Sequence, residues 1–227
     1  MPRVVLLDEE ILRRLERNDP SVDGVQIDAD NWIEGAGRSI GNSLFLKEIQ
    51  IDILPLDEVG NNQWNWLEEL LLGLARNRSI SALRLGNCRY HPCVILDVDV
   101  FQILAPFFER NFCLRSVEVN WIDLSRTFTS LVSALSKCKD KQLERIVVQN
   151  INSSDAQVAT LFDALGCQDL VEIRYCNNVI GRKGCMSLAN LIKNSTAGIH
   201  RLTLLGNDLD DDCLDILVTW TDRRACP

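Results

Sequence analysis

The sequence has few histidines, no long apolar run and no excess of basic residues, and each of these absences excludes a class of function. Two histidines among 227 residues leave little for general-base catalysis, and no G-x-S-x-G, phosphate-loop or H-E-x-x-H motif is present. A net charge of −8 argues against nucleic acid as a partner, since binding phosphates usually needs a basic stripe. No apolar run approaches a membrane span. We therefore expect a non-enzymatic protein that needs no cofactor and binds neither nucleic acid nor membranes.

The N-terminus and the cysteines predict the compartment. The chain reaches acids by Asp8, too early for the apolar core of a secretory signal. Nine cysteines are an odd number, which disfavours a disulfide framework. Cys138, Cys167, Cys185 and Cys213 fall within or beside predicted helices, where a buried thiol serves as a small apolar side chain. We therefore predict free thiols in a soluble, cytoplasmic protein.

What the sequence does contain is a recurring six-residue frame, L-x-x-L-x-L, with apolar residues at positions one, four and six. The first positions of successive copies lie 24, 34, 34, 29, 27 and 29 residues apart. A fixed frame at this period predicts an α/β leucine-rich repeat solenoid, with one short strand and one helix in each repeat. The copies are Val22/Val25/Ile27, Leu46/Ile49/Ile51, Ile80/Leu83/Leu85, Leu114/Val117/Val119, Leu143/Ile146/Val148, Leu170/Ile173/Tyr175 and Ile199/Leu202/Leu204.

The sixth copy, residues 170–194, is the sharpest. Asn178 stands at its ninth position, where a side-chain amide can bond loop backbone, and Gly181 and Gly184 precede its helix. This segment resembles the ribonuclease-inhibitor-like class of leucine-rich repeats, L-x-x-L-x-L-x-x-N-x-I-G-x-x-G, and Asn207 matches the asparagine in the next copy. The resemblance implies a curved horseshoe with a parallel sheet on the concave side and helices on the convex side. It also implies a role in binding other proteins.

The frame divides the chain into two parts. Residues 1–21 are predicted to form an N-terminal capping helix and linker, because Leu7, Ile11 and Leu15 share one helical face. Residues 22–227 then form a leucine-rich repeat domain of about seven repeats. The strand around Leu202 would present an open edge, which either a short C-terminal cap or end-to-end self-association of two chains would cover.

Two consecutive repeats span 34 residues, where the later ones span 27 to 29. The extra residues fall between strand and helix, roughly at 57–65 and 90–99, and equivalent insertions in adjacent repeats emerge on one edge. They bring together aromatic side chains of the kind that anchor interfaces, which makes this edge a candidate binding site. The alternative is that the rings turn inward as core. The candidates are Trp64, Trp66, Tyr90, His91 and Trp121.

The concave strand positions supply a second candidate surface, at Glu48, Gln50, Arg84 and Glu118. Opposite charges on adjacent strands can bind a partner, or can pair with one another and need no ligand. Between Asp19 and Glu58 lie nine acids and two bases. That excess favours a basic protein partner, although acids also serve solubility alone.

A zinc site is disfavoured, whereas one alternative function stays open. Cys88, His91 and Cys93 could ligate zinc, but no second Cys/His pair follows at the spacing of a zinc module. The alternative function is regulation of an enzyme, such as GTPase activation. That role would need an arginine or asparagine on the strand-to-helix loops, for which Asn61, Asn62 and Arg89 are the candidates.

Overall fold

A single parallel sheet of eight strands organises the computed structural model, which describes residues 4–28, 30–53, 63–86, 94–95, 99–139 and 142–222. The sheet follows chain order, β1-β2-β3-β4-β6-β8-β9-β10. Its strands are β1 (Val4–Leu6), β2 (Gly24–Ile27), β3 (Glu48–Asp52), β4 (Ala82–Gly86), β6 (Ser116–Asn120), β8 (Arg145–Gln149), β9 (Glu172–Cys176) and β10 (Arg201–Thr203). A separate pair joins β5 (Val94–Ile95) to β7 (Ile122–Asp123). This α/β architecture is consistent with a leucine-rich-repeat fold.

Helices alternate with the strands, and each consecutive pair of helices is in contact, so the helices form one layer against the sheet. Within the described ranges, none is long and apolar enough to cross a bilayer. They are α1 (Glu9–Glu16), α2 (Ala36–Asn42), α3 (Gln63–Leu74), α4 (Val100–Arg110), α5 (Phe128–Ser136), α6 (Asp155–Ala164), α7 (Arg182–Asn194) and α8 (Asp211–Asp222).

The repeated frame predicts the strand register correctly. Its fourth positions form one row across the sheet, from Val25 through Leu83 to Leu202. Side chains alternate between the two faces of a strand, so positions four and six point into the core. All members of the row are buried except Leu202, which is 37% exposed. Leu202 lies on β10, the last strand of the described sheet, where its outer side has no neighbouring strand. Self-association at this edge stays a prediction.

The N-terminal segment differs from the prediction. Ile11 and Leu15 of α1 are buried as expected. The edge of β2, however, is covered by β1, whose Val5 lies opposite Val25. The capping element is therefore a strand followed by a helix. The sequence pattern missed this strand because three residues are too few to show the alternation of a strand.

Glycine sets the spacing between α2 and α3. Gly37 and Gly41 lie one turn apart on α2, facing Gly73 on α3. A Cβ added at Gly73 would lie 1.9 Å from the carbonyl oxygen of Gly37, and one added at Gly41 would lie 2.5 Å from that of Gly73. The two backbones touch here, which only residues without a side chain permit.

The glycines of the sixth copy leave room for a carboxylate. Asp155, the first residue of α6, accepts backbone N–H groups of the next repeat from Gly181 (2.8 Å), Lys183 (3.1 Å) and Gly184 (2.8 Å). A Cβ on Gly184 would lie 2.9 Å from Asp155 Oδ1. Asp155 thus caps α7 from the preceding repeat, where the helix N-terminus favours negative charge.

Both predicted loop asparagines bond backbone. Asn178 Nδ2 donates to the carbonyls of Val148 and Cys176, and Asn207 Nδ2 donates to that of Tyr175. The opposite, helix-to-strand edge carries a second set of buried amides, which the six-residue frame does not reveal. They are Asn77, Asn111, Gln142 and Gln168.

All six described cysteines are free thiols. Burial raises the pKa of Cys138 to about 12 and also raises that of Cys185. Cys213 is buried as well, but Cys167 is exposed and does not serve as a core residue. The thiols in the core are therefore protonated at neutral pH and act as small apolar groups.

Candidate functional site

The sheet face opposite the helices, here called the open face, carries a connected row of charged side chains. Strand positions three and five point to this face, because the core occupies positions four and six. Their signs alternate from strand to strand over most of the sheet. This charge ladder consists of Glu48, Arg84, Glu118, Arg145, Glu172, Arg174 and Arg201.

Each central member of the ladder contacts residues on both sides. Arg84 Nη2 lies 2.7 Å from Glu48 Oε1, in ion-pair contact but not aligned as a hydrogen bond. Arg84 Nε lies 3.9 Å from Glu118 Oε2, and Arg145 Nη1 lies 3.2 Å from the same oxygen. The lateral pairing of Arg84 with Glu118 that the sequence predicts is therefore observed, and Arg145 and Arg201 pair with Glu172 in the same way.

Glu172 is the hub of the ladder. Its carboxylate meets Arg174 Nε at 2.5 Å, Arg145 Nε at 3.3 Å and Arg201 Nη1 at 3.5 Å. Burial alone would raise the pKa of Glu172. The hydrogen bond from Arg174 and the three positive charges together outweigh burial and hold the pKa below its ordinary value of 4.5. Glu172 is therefore ionised throughout the physiological range.

We expect Glu172→Gln to destabilise the protein by about 2 kcal/mol at neutral pH, because three arginines would then face a neutral amide. A folded-state pKa below the unfolded one means that the carboxylate stabilises the fold above about pH 4.5. This contribution disappears as the pH falls through the folded-state pKa. Thermal melts over a descending pH series should show a large difference between variant and wild type at neutral pH, and the difference should narrow as the pH falls below about 4.5.

Glu144→Gln is the matched control for this prediction. Glu144 also pairs with an arginine, Arg115 at 3.4 Å, but its side chain is 55% exposed. Solvent screens such a pair, so its loss should change stability by less than about 1 kcal/mol. If both variants lost the same amount of stability, Glu172 would stabilise the fold no more than an exposed ion pair does.

A pocket of about 130 Å³ opens beside Arg84, where β3, β4 and β6 end. Its polar lining is held by bonds between side chains, with Asp52 accepting from Gln26 Nε2 (2.6 Å) and Gln50 Nε2 (3.0 Å). Asn120 Nδ2 donates to Glu118 Oε1 at 2.7 Å. Because the pocket combines a guanidinium with carboxylates and amides, it suits polar groups of a peptide better than an apolar ligand.

The structure separates the aromatic candidates. Trp66 is buried against Trp32, with ring centroids 5.7 Å apart, so its predicted role as an exposed anchor is wrong. Trp66 is core because it follows the helical face of α3. Trp121 is partly exposed. The Trp64 side chain, Tyr90 and His91 lie outside the described residues, so exposure of a pair of rings stays a prediction.

Trp121 adopts a backbone conformation that its residue type disfavours. Its φ is 58°, in the left-handed region, and the residues at the same repeat position are Asn150, Asn177 and Gly206, with φ of 52°, 52° and 70°. Asparagine and glycine tolerate this region, whereas a bulky aromatic residue there is an outlier. Val94, in the described part of the second insertion, lies beside it and donates its backbone N–H to the Trp121 carbonyl at 2.9 Å. An Asn-Asn-Gly series at one repeat position is the sequence signal that could have found this strain.

Several other predicted residues fall outside the described part of the chain. Most of both insertions does so, including the loop candidates for enzyme regulation, Asn61, Asn62 and Arg89, and the possible zinc ligands Cys88, His91 and Cys93. Of the concave candidates, Glu48 is buried, while Gln50, Arg84 and Glu118 are partly exposed. The open face is therefore the candidate surface whose geometry is best defined.

Comparison with known proteins finds similarity in solved structures alone. No protein family matches the sequence, and no curated protein matches it. The tropomodulin C-terminal domain of Caenorhabditis elegans is 17% identical, with 69% of this chain and 90% of that one covered and a TM-score of 0.42. Leiomodin-1 actin-binding site 2 is 15% identical over 96% of this chain and 91% of that one, with a TM-score of 0.39. Likeness at this level transfers neither a function nor a partner to the chain.

Proposed function

We propose that the chain is a non-enzymatic protein-interaction module that binds a protein partner through its open face. The observation that carries this proposal is the charge ladder, an array of seven charged side chains across six neighbouring strands. The finer expectations belong to the same proposal: a cytoplasmic horseshoe of the ribonuclease-inhibitor-like class, with the open face concave and the insertion edge at its border.

In the alternative, the charged side chains of the ladder pair only with one another and bind no partner. That alternative accounts for the burial of the carboxylates but not for the exposure of the arginines. Glu118 and Glu172 are mostly buried by their neighbours, with 18% and 15% of their side chains exposed. Arg84 and Arg201 remain 40% and 62% exposed. A guanidinium has five N–H donors, and the single ladder contact of Arg201 uses only part of this set. Arginine held in place in this way can bind a partner carboxylate in bidentate fashion.

The open face also has a direction. Its N-terminal half holds Glu48, Asp52 and Glu118 against Arg84, a net charge of −2. Its C-terminal half holds three arginines against Glu172, a net charge of +2. Charge complementarity across an interface sets orientation and the rate of encounter. A partner segment that crosses the strands from one end of the sheet to the other should therefore place its basic end over β3 and β4 and its acidic end over β9 and β10.

The test is partner capture with the full chain, followed by cross-linking mass spectrometry of the captured complex. Arg174→Glu with Arg201→Glu should weaken capture at least about tenfold, because two attractive contacts become repulsive. Arg126→Glu with Lys183→Glu makes the same change in net charge at exposed positions away from the open face and should leave capture intact. Cross-links that avoid the open face, or equal capture by both variants, would contradict the proposal.

A further inference from the structure

The connections that lead from helix to strand form a basic edge in four consecutive repeats of an acidic protein. The described residues of these connections, 43–47, 75–81, 111–115, 137–139 and 142–144, contain six lysines and arginines and one acid, a net charge of +5. The chain as a whole carries −8, so the remainder carries −13. The connections on either side of this group, 17–23 and 165–171, each have a net charge of −1. Positive charge is therefore concentrated on one stretch of one edge.

A pocket and exposed apolar side chains occupy the same stretch. The pocket, of about 500 Å³, lies between the connections before β3, β4 and β6, and Leu44, Lys47, Arg76, Arg78 and Cys113 contribute to its lining. Leu44 is 67% exposed, and Phe112, adjacent to Cys113, is 59% exposed. Neighbouring strands are roughly 4.8 Å apart, so the connections before β3 and β6 lie only about 10 Å apart. Leu44 thus borders a basic pocket, and the exposed Phe112 ring lies under Lys139, whose Nζ is 5.0 Å from the ring centroid.

Two of the cations on this edge contact backbone carbonyl groups, which gives them a structural role. Arg78 Nη1 donates to the Arg110 carbonyl at 2.6 Å, and Lys47 Nζ lies 3.5 Å from that of Ser79. Carbonyls carry no net charge, so these contacts leave the positive field in place. In the described ranges, no acid lies within 4.0 Å of Lys47, Arg76 or Arg78, and the Arg76 guanidinium makes no hydrogen bond there. Capping also gives no reason for Leu44 and Phe112 to be exposed.

We infer that this basic edge docks an acidic segment of a partner protein, with carboxylates at Lys47, Arg76 and Arg78 and an apolar side chain against Leu44. An anionic membrane offers similar chemistry, but the cations line a concave pocket, which a peptide side chain can enter and a flat bilayer cannot. This surface lies on the edge of the sheet and is separate from the open face.

The test is selection from a random-peptide display library on the full chain. The enriched peptides should be acidic and should carry at least one large apolar residue. Lys47→Glu with Arg76→Glu should reduce binding of these peptides at least about tenfold, since two cations become anions. Leu44→Ser should reduce binding without a change in charge. Arg126→Glu with Lys183→Glu, exposed cations of the opposite edge, should leave binding unchanged.

Melting temperatures of all variants separate loss of binding from loss of fold, and Leu44→Ser is the least disturbing change because the side chain is mostly in solvent. Enriched peptides without an acidic bias would overturn the proposal, as would equal binding by the edge and control variants. Co-sedimentation with phosphatidylserine vesicles that exceeds peptide binding, and that is lost in the edge variant, would assign the edge to lipid and overturn the choice of a protein partner.

Discussion

Leu83→Asp should unfold the protein at room temperature. Leu83 is fully buried at the fourth frame position of β4, between Ile49 and Val117. Loss of the leucine side chain from a packed core costs about 3 kcal/mol, and a carboxylate without a partner there costs several more. The sum approaches the whole stability of a typical domain, about 5–15 kcal/mol. Circular dichroism and a thermal melt of the purified variant measure the effect.

Leu205→Asp is the matched control. The Leu205 side chain is 71% exposed just beyond β10, so the same substitution places the carboxylate in water. We expect a change within about 0.5 kcal/mol, as for most surface positions. A folded Leu83→Asp protein with wild-type melting behaviour would contradict the assignment of the frame to the core.

Gly73→Ala should destabilise the protein by about 3 kcal/mol, although alanine favours helix over glycine by about 1 kcal/mol. The new methyl group would lie 1.9 Å from the carbonyl oxygen of Gly37, a backbone atom that cannot rotate away. The helices α2 and α3 must then separate, which loosens the packing between these two repeats. Urea unfolding measured by fluorescence gives the free-energy change.

The control for the helix contact is Gly166→Ala. At this position the nearest atom to an added Cβ is the Asp163 carbonyl oxygen, at 3.2 Å, and the backbone conformation is open to alanine. We expect a change within about 0.5 kcal/mol. If Gly73→Ala instead raised stability, as its helix propensity alone predicts, the two backbones would have to be farther apart than this contact requires.

The strand register could be predicted from the sequence because each of the first six copies of the frame buries the same three positions. A one-residue slip would turn Leu83 and its equivalents toward solvent, so the apolar pattern alone determines the alignment of the strands. The strand β1 could not be predicted in the same way. Its three residues are too few for a periodic signal, and pairing between Val5 and Val25 depends on a neighbouring strand that supplies the partner.

The ion pairs of the candidate site could be predicted, because they depend only on the charge of each residue and on the strand register. Once Arg84 and Glu118 are known to lie opposite each other on adjacent strands, their pairing follows. The fate of Trp66 was not predictable, because insertion length does not reveal which side of a helix faces the core. The basic edge could not be predicted from the sequence for a further reason. Its charges come from four segments far apart in the chain, each too short to stand out, and only the stacking of repeats adds them together.

The order of strands in the main sheet has a kinetic consequence. Every strand pairs with strands from adjacent repeats, so no sheet contact waits for distant parts of the chain to meet. Pairing two neighbouring strands closes a loop of one repeat, so the entropy cost of each pairing is the same in a short array as in a long one. We expect folding to start in any adjacent pair of repeats and to spread outward by one repeat at a time. The carboxylate of Asp155 should couple two of these steps, because it belongs to the first turn of α6 and caps the N-terminus of α7.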